Sequence, residues 1–235
     1  MKSGIRRQIR RLWLAALALV LSCEVLVTGC AQLPADSAEP SATIDTGQLR
    51  GARIDGVLAF RGVPYARPPV GALRWRAPQP AAAWDGIRPA TDYGASCAQP
   101  RTATFSLPLA DLSEDCLTLN VWTPSLRPEQ KMPVMVWIHG GGFSAGSGNL
   151  PQLNGTAIPR QGVVVVTINY RLAMFGFLAH PALATGGETA GNYGLLDAVA
   201  ALQWVQRNIH AFGGDPARVT IFGESAGADM VNYLM

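Results

Sequence analysis

The sequence predicts an α/β fold with a mostly parallel central sheet, and three observations carry that prediction. Residues 134–138 (VMVWI) and 163–168 (VVVVTI) are continuous apolar runs, the pattern of strands buried on both faces. Residues 218–222 (RVTIF) form a third strand-like run. Between the second and third lies a helical segment, residues 193–209, in which Leu195, Val199, Leu202, Val205 and Ile209 recur at three- and four-residue steps, with Asn192 placed as N-cap. Strands that alternate with helices favour parallel pairing.

From the N-terminus, the first element is a leader. The net charge of +3 invites a nucleic-acid partner, but Lys2, Arg6, Arg7, Arg10 and Arg11 crowd one end. From residue 30 onward, 14 basic side chains face 15 acidic ones, so that partner loses its support. The apolar run at 12–22 is too short to span a bilayer, and residues 1–30 read as an export signal. It closes on Val27-Thr28-Gly29-Cys30, which resembles the bacterial lipobox, where the thiol is diacylated and becomes the new N-terminus. The expectation is export across the inner membrane, then a lipid anchor on Cys30 in the cell envelope, periplasmic or outer-membrane. Cys23 is the weaker rival, because bulky Leu21 stands where a small residue is preferred. Arg10-Arg11-Leu12 is also compatible with a twin-arginine signal, which plain leader charge explains equally well.

Residues 31–42, with Pro34, Asp36, Ser37, Glu39 and Pro40, have linker composition, and the folded part is expected over 43–235. With 49% hydrophobic side chains, the chain can bury a substantial core. Gly47, Gly51 and Gly56 punctuate short apolar stretches, as in a small N-terminal hairpin. Residues 60–80, rich in Pro and Arg without a steady period, read as an ordered surface loop. Residues 117–122 (LTLNVW) alternate like a half-buried strand.

Two motifs carry chemistry. Gly223-Glu224-Ser225-Ala226-Gly227 is a G-x-S-x-G directly after the third strand and before a helix-compatible run, 226–235. A serine in that setting occupies a strained turn with positive φ, and the flanking glycines relieve the crowding. Ser225 would stand at the strand's end as a nucleophile, with the helix N-terminus aimed at a developing oxyanion. His139-Gly140-Gly141-Gly142-Phe143 follows another strand, and consecutive glycines let bare N–H groups approach a substrate. A histidine that opens such a loop orders it rather than serving the serine, so His139 is not assigned as base. His180 and His210 have no motif support.

The chain resembles the type-B carboxylesterases, the family that includes the cholinesterases, on the α/β-hydrolase fold. The resemblance rests on 60–75 (FRGVPYARPPVGALRW), 114–122 (EDCLTLNVW) and 212–227 (FGGDP through the serine motif), in that order. It implies Ser225 as nucleophile, the N–H groups of Gly141, Gly142 and Ala226 as oxyanion hole, and a supporting role behind the serine for Glu224. It also implies a disulfide between Cys97 and Cys116 and ion pairs Arg74–Glu114 and Arg171–Asp197 beneath the surface. The family's acid and base lie far downstream of the serine, beyond Met235, so neither role is carried over, and these residues alone are expected to be catalytically silent and poorly soluble. Residues 98–115 hold Phe105 but no tryptophan, which disfavours choline esters and points to apolar acyl or aryl esters. No cofactor, metal or protein partner is implied. Three other readings are open: a binding protein on the same fold, disfavoured by the retained Ser225; a hormone-sensitive-lipase-type esterase, disfavoured by the 114–120 motif; and an inactive, truncated relic of an esterase.

Overall fold

A computed structural model of the chain describes residues 39–100, 109, 111–150, 153, 155–184 and 190–235. Cys23, Cys30, the leader and Phe105 lie outside the described residues. The first strand starts at Ser41, slightly ahead of Thr43. β1 (Ser41–Ile44) and β2 (Gly47–Arg50) form the N-terminal hairpin, and β5 (Ile87–Pro89) adds to β2 in parallel. β3 (Ala52–Ile54) and β4 (Val57–Pro64) are joined by Asp55-Gly56, with φ of 49° and 79°. Positive φ at both positions is the two-residue turn whose twist suits a hairpin.

The main sheet has six strands in the order β11-β9-β10-β8-β4-β3. Its further members are β8 (Thr118–Thr123), β9 (Met132–Ile138), β10 (Val164–Ile168) and β11 (Gly214–Gly223). β6 (Ser96–Cys97) and β7 (Leu112–Ser113) pair separately. Among the described strands the sheet is mixed rather than mostly parallel. β10/β9 and β11/β9 are parallel, while β10/β8, β4/β8 and β3/β4 are antiparallel. Apolar runs report burial and are silent on direction, which is why the antiparallel half escaped the sequence reading.

Burial corrects two further expectations. All five residues of β10 are buried, but β9 alternates: Val134, Val136 and Ile138 are fully buried while Met135 and Trp137 are half-buried. Phe60, expected in a loop, is fully buried in β4, and only the stretch beyond Pro64 is irregular, with a 3-10 turn at Gly71–Leu73.

Among the described residues three α-helices follow: α1 (Ala173–Phe177), α2 (Tyr193–Asn208) and α3 (Ala226–Leu234). The buried side of α2 centres on Asp197, Ala198, Ala201, Trp204 and Val205, whereas Leu195, Val199 and Leu202 flank it half-buried. Small alanines let the helix lie close to the sheet. Asn192 precedes α2 in a left-handed conformation (φ 57°), and its side chain makes no capping bond. A buried aspartate on a packing face needs a partner. Arg171 provides it: its backbone N–H and Nε donate to Asp197 Oδ2 at 3.0 and 2.8 Å, and Nη2 donates to Oδ1 at 2.7 Å. Burial pushes the Asp197 carboxyl up, and the Arg171 guanidinium opposes it. The pair Arg74–Glu114 also forms, but at the rim, with the arginine side chain 37% exposed.

Candidate active site

β11 and α3 meet in the serine turn. Ser225 has φ 54° and ψ −128°, a conformation that costs an L-residue about 1–3 kcal/mol and persists only where its surroundings impose it. The surroundings here are backbone. A Cβ on Gly227 would stand 2.1 Å from the Ile138 carbonyl oxygen, and one on Gly223 would stand 2.6 Å from the Gly227 carbonyl carbon. The turn is thus nested against the end of β9, and glycine at both positions is a steric requirement. Ser225 stays exposed and caps α3, with the Ala228 and Asp229 N–H groups donating to its carbonyl oxygen at 2.8 and 3.1 Å.

The glycine loop leaves the same end of β9. Gly140 touches the serine turn: a Cβ there would be 2.5 Å from Glu224 O, 2.8 Å from Glu224 Oε2 and 3.1 Å from Ser225 Cβ. Gly141 and Gly142 follow at φ 111° and 61°, and the Ser144 and Ala145 N–H groups fold back onto Gly141 O at 3.1 and 3.0 Å. The N–H groups of Gly141, Gly142 and Ala226 donate to no other described residue. The three bare donors therefore belong to two segments that touch at Gly140, one of which carries the exposed serine.

His139 lies behind the loop. It is buried, stacked on Tyr170 with ring centroids 4.4 Å apart, and its backbone oxygen accepts from Tyr170 Oη at 2.7 Å. Its Nδ1 faces Gly140 O at 2.8 Å, which makes Nδ1 the protonated nitrogen of the neutral ring. Burial lowers its pKa from 6.5 to about 4. This is a loop-ordering histidine. His180 Nδ1 accepts from Ala182 N–H at 3.1 Å. His210 precedes β11 while Ser225 follows it, and the ends of β11 pair with Met132 and Ile138, six residue steps of β9, which puts roughly 20 Å between them. Among the described residues, no histidine hydrogen-bonds Ser225. Glu224 is exposed, with its carboxylate lying along Gly140.

Beside the glycine loop, Phe143, Phe177, Asn192, Leu195, Met230 and Tyr233 line a cleft of about 550 Å³. Another cleft, of about 420 Å³, lies between the hairpin and α2 and includes no residue of either motif. Cys97 and Cys116 are joined by a disulfide. Sequence reasoning missed Gly140 as the point of contact, although its place in the glycine run marked it. It also missed Tyr170, which has no signal beyond its position after a buried strand.

The carboxylesterase family model matches residues 38–235. The chain is 50% identical over 192 residues to the fumonisin B1 esterase of Sphingopyxis macrogoltabida, an alignment covering 81% of this chain and 35% of that protein. It is 48% identical over 198 residues to the para-nitrobenzyl esterase of Bacillus subtilis, covering 82% and 40%. The solved carboxylesterase of Geobacillus stearothermophilus superposes with a TM-score of 0.74 at 48% identity, over 83% of this chain and 40% of that one. The chain thus spans well under half the length of these relatives. A strand–serine–helix turn nested against a glycine loop, within a sheet that superposes on those esterases, has the α/β-hydrolase fold, and the chain belongs to the carboxylesterase family.

Proposed function

We propose that the protein hydrolyses carboxylic esters through an acyl-enzyme on Ser225. The observation that supports this reading is the contact at Gly140, which brings the glycine loop against the turn of a strained, exposed serine. In the proposed reaction, Ser225 Oγ attacks the ester carbonyl carbon as its proton passes to a base. The carbonyl oxygen becomes an oxyanion held by the N–H groups of Gly141, Gly142 and Ala226. The C–O bond then breaks, the alcohol leaves with the proton, and water releases the carboxylic acid from the serine. Electrostatic stabilisation of this kind is the larger part of such catalysis, and each donor is worth about 3 kcal/mol.

The base is a group outside the described residues, since no described histidine reaches Ser225 and an unassisted hydroxyl is a poor nucleophile. Glu224 supports the serine turn from behind Gly140. The neighbouring cleft, walled by Phe143, Phe177, Leu195 and Met230, favours an apolar acyl or aryl group. Lipidation of Cys30 would hold the mature protein in the cell envelope, and replacement of Cys30 by Ala should move it to the soluble fraction; continued membrane association would remove that part of the reading.

The test is p-nitrophenyl ester turnover by the complete gene product and by residues 1–235, each with a Ser225→Ala control. The complete product should lose essentially all turnover on substitution, and the shorter chain should show none. Activity that survives Ser225→Ala would sink the nucleophile assignment.

A further inference from the structure

We infer that Gln99 is a positioning residue for the glycine loop, and that the disulfide beside it is its anchor. The inference rests on the oxyanion reading of Gly141 and Gly142. Gln99 belongs to neither motif and lies 47 residues from its partner in sequence. Its Oε1 accepts from the Gly146 N–H at 2.8 Å, and its Nε2 donates to the Gly146 carbonyl oxygen at 2.8 Å. The second Nε2 hydrogen goes to Cys97 O at 2.9 Å. Only one orientation of the carboxamide is possible, because a flipped amide would set donor against donor and acceptor against acceptor.

Gly146 is the hinge end of the loop. It is buried, at φ 117°, with no room for a side chain: a Cβ would stand 2.3 Å from His139 Nδ1 and 2.4 Å from Gly140 O. Any displacement of Gly146 is therefore passed to His139 and Gly140, the residue that touches the serine turn. One carboxamide satisfies both backbone polar groups of this buried residue, and its loss orphans both.

The segment that carries Gln99 is itself fixed. Asn149 Nδ2 donates to Gly94 O at 2.8 Å, Asn169 Nδ2 to Ala95 O at 3.1 Å, and Ser96 Oγ to Ser147 Oγ at 2.9 Å. Asn169 Oδ1 in turn accepts from Ser147 Oγ and Gly148 N–H at 3.1 and 2.9 Å. Residues 94–97 and 146–149 are thus zipped by side chains rather than by a strand ladder, and the Cys97–Cys116 bond ties the zip to the entry of β8. Gln99 closes its last tooth on the glycine loop.

Oxyanion donors act within a few tenths of an ångström, and a misplacement of about 1 Å costs about a hundredfold in rate. Gln99→Ala in the complete gene product should lower kcat by about ten- to a hundredfold while KM stays within about twofold. Affinity for a trifluoromethyl ketone, whose adduct bears an oxyanion, should fall by the same factor as kcat/KM. Gln99→Glu separates positioning from bulk packing. Its carboxylate can accept from the Gly146 N–H but faces the Gly146 oxygen without a proton, whereas its protonated form can make both bonds. Relative to the parent, this variant should recover activity as pH falls from 8 to 5. Hydrogen exchange of residues 139–147 at pH 8 should be at least about tenfold faster in Gln99→Ala, which loses both bonds to Gly146, and faster than the parent by a smaller factor in Gln99→Glu, which keeps the bond from the Gly146 N–H. Unchanged exchange in a folded variant overturns the inference, whatever the activity. If the parent shows no Ser225-dependent turnover, the ester reading fails instead, and the exchange measurement alone decides the role of Gln99. If Gln99→Ala does not fold, Gln99→Glu carries the same comparison.

Discussion

His139 should make the fold sensitive to mild acid, by an amount the structure allows to be worked out. In the folded protein its ring stays neutral until about pH 4, because burial against Tyr170 disfavours the charged form. In the unfolded chain it takes up a proton near pH 6.5. Between those values the unfolded state holds more protons, so stability falls as pH drops through the window and is level above it. The gap is about 2.5 pH units, and at about 1.4 kcal/mol per unit the loss is about 2 kcal/mol at pH 5 and about 3 kcal/mol at pH 4. The perturbation is His139→Asn, whose amide can still donate to Gly140 O but does not titrate. Urea midpoints of parent and variant would be measured from pH 7.5 to 4. The variant should start less stable, having lost the stacked ring, and then converge on the parent as pH falls. Parallel decline of the two across the whole range would refute the reasoning, since every other titrating group is common to both.

Two further outcomes are expected. Asp197→Leu leaves the buried Arg171 guanidinium without its carboxylate and should destabilise the protein by about 3–5 kcal/mol, while Arg171→Met/Asp197→Leu should recover most of that, read as thermal midpoints; equal midpoints for the single and double variants would contradict it. Gly227→Ala brings a Cβ within 2.1 Å of the Ile138 oxygen and should cut p-nitrophenyl ester turnover by about a hundredfold or more, so near-parental turnover would show that the serine turn is not nested as described.

The legible parts of this molecule were those specified by residues close in sequence. The serine turn was readable because its strain is relieved by glycines two positions either side, and an N-terminal hairpin because Gly47 and Gly56 mark chain reversals, although the structure has two hairpins there where one was expected. The disulfide and the Arg171–Asp197 pair became readable only through family resemblance, because nothing local marks which partner a distant cysteine or arginine will meet. The face of α2 was read only in part, for a different reason: Val205 and Ile209 are buried as expected, but Leu195, Val199 and Leu202 only flank the buried side. Leucines and valines suggested the buried stripe, but close approach to the sheet favours Ala198 and Ala201, and the ion pair then carries Asp197 inside with them. Strand direction in the antiparallel half and the reach of Gln99 to Gly146 have no periodic signature at all. They follow from where the chain returns in space.

The contact between Gly140 and the serine turn also limits how this site can diversify. Around Ser225 the inner wall is main chain against main chain, with Gly140, Gly223 and Gly227 each excluding even a methyl group. A wall without side chains offers mutation nothing to vary, so it can supply chemistry but not selectivity. Under the proposed function, changes in substrate range within these residues must enter through the cleft beside the glycine loop, where Phe143, Leu195 and Tyr233 can change size while the glycine wall stays as it is. A library confined to those three positions should yield altered ester preference at preserved reactivity toward a small acetate, whereas one directed at the glycines should yield mostly inactive protein.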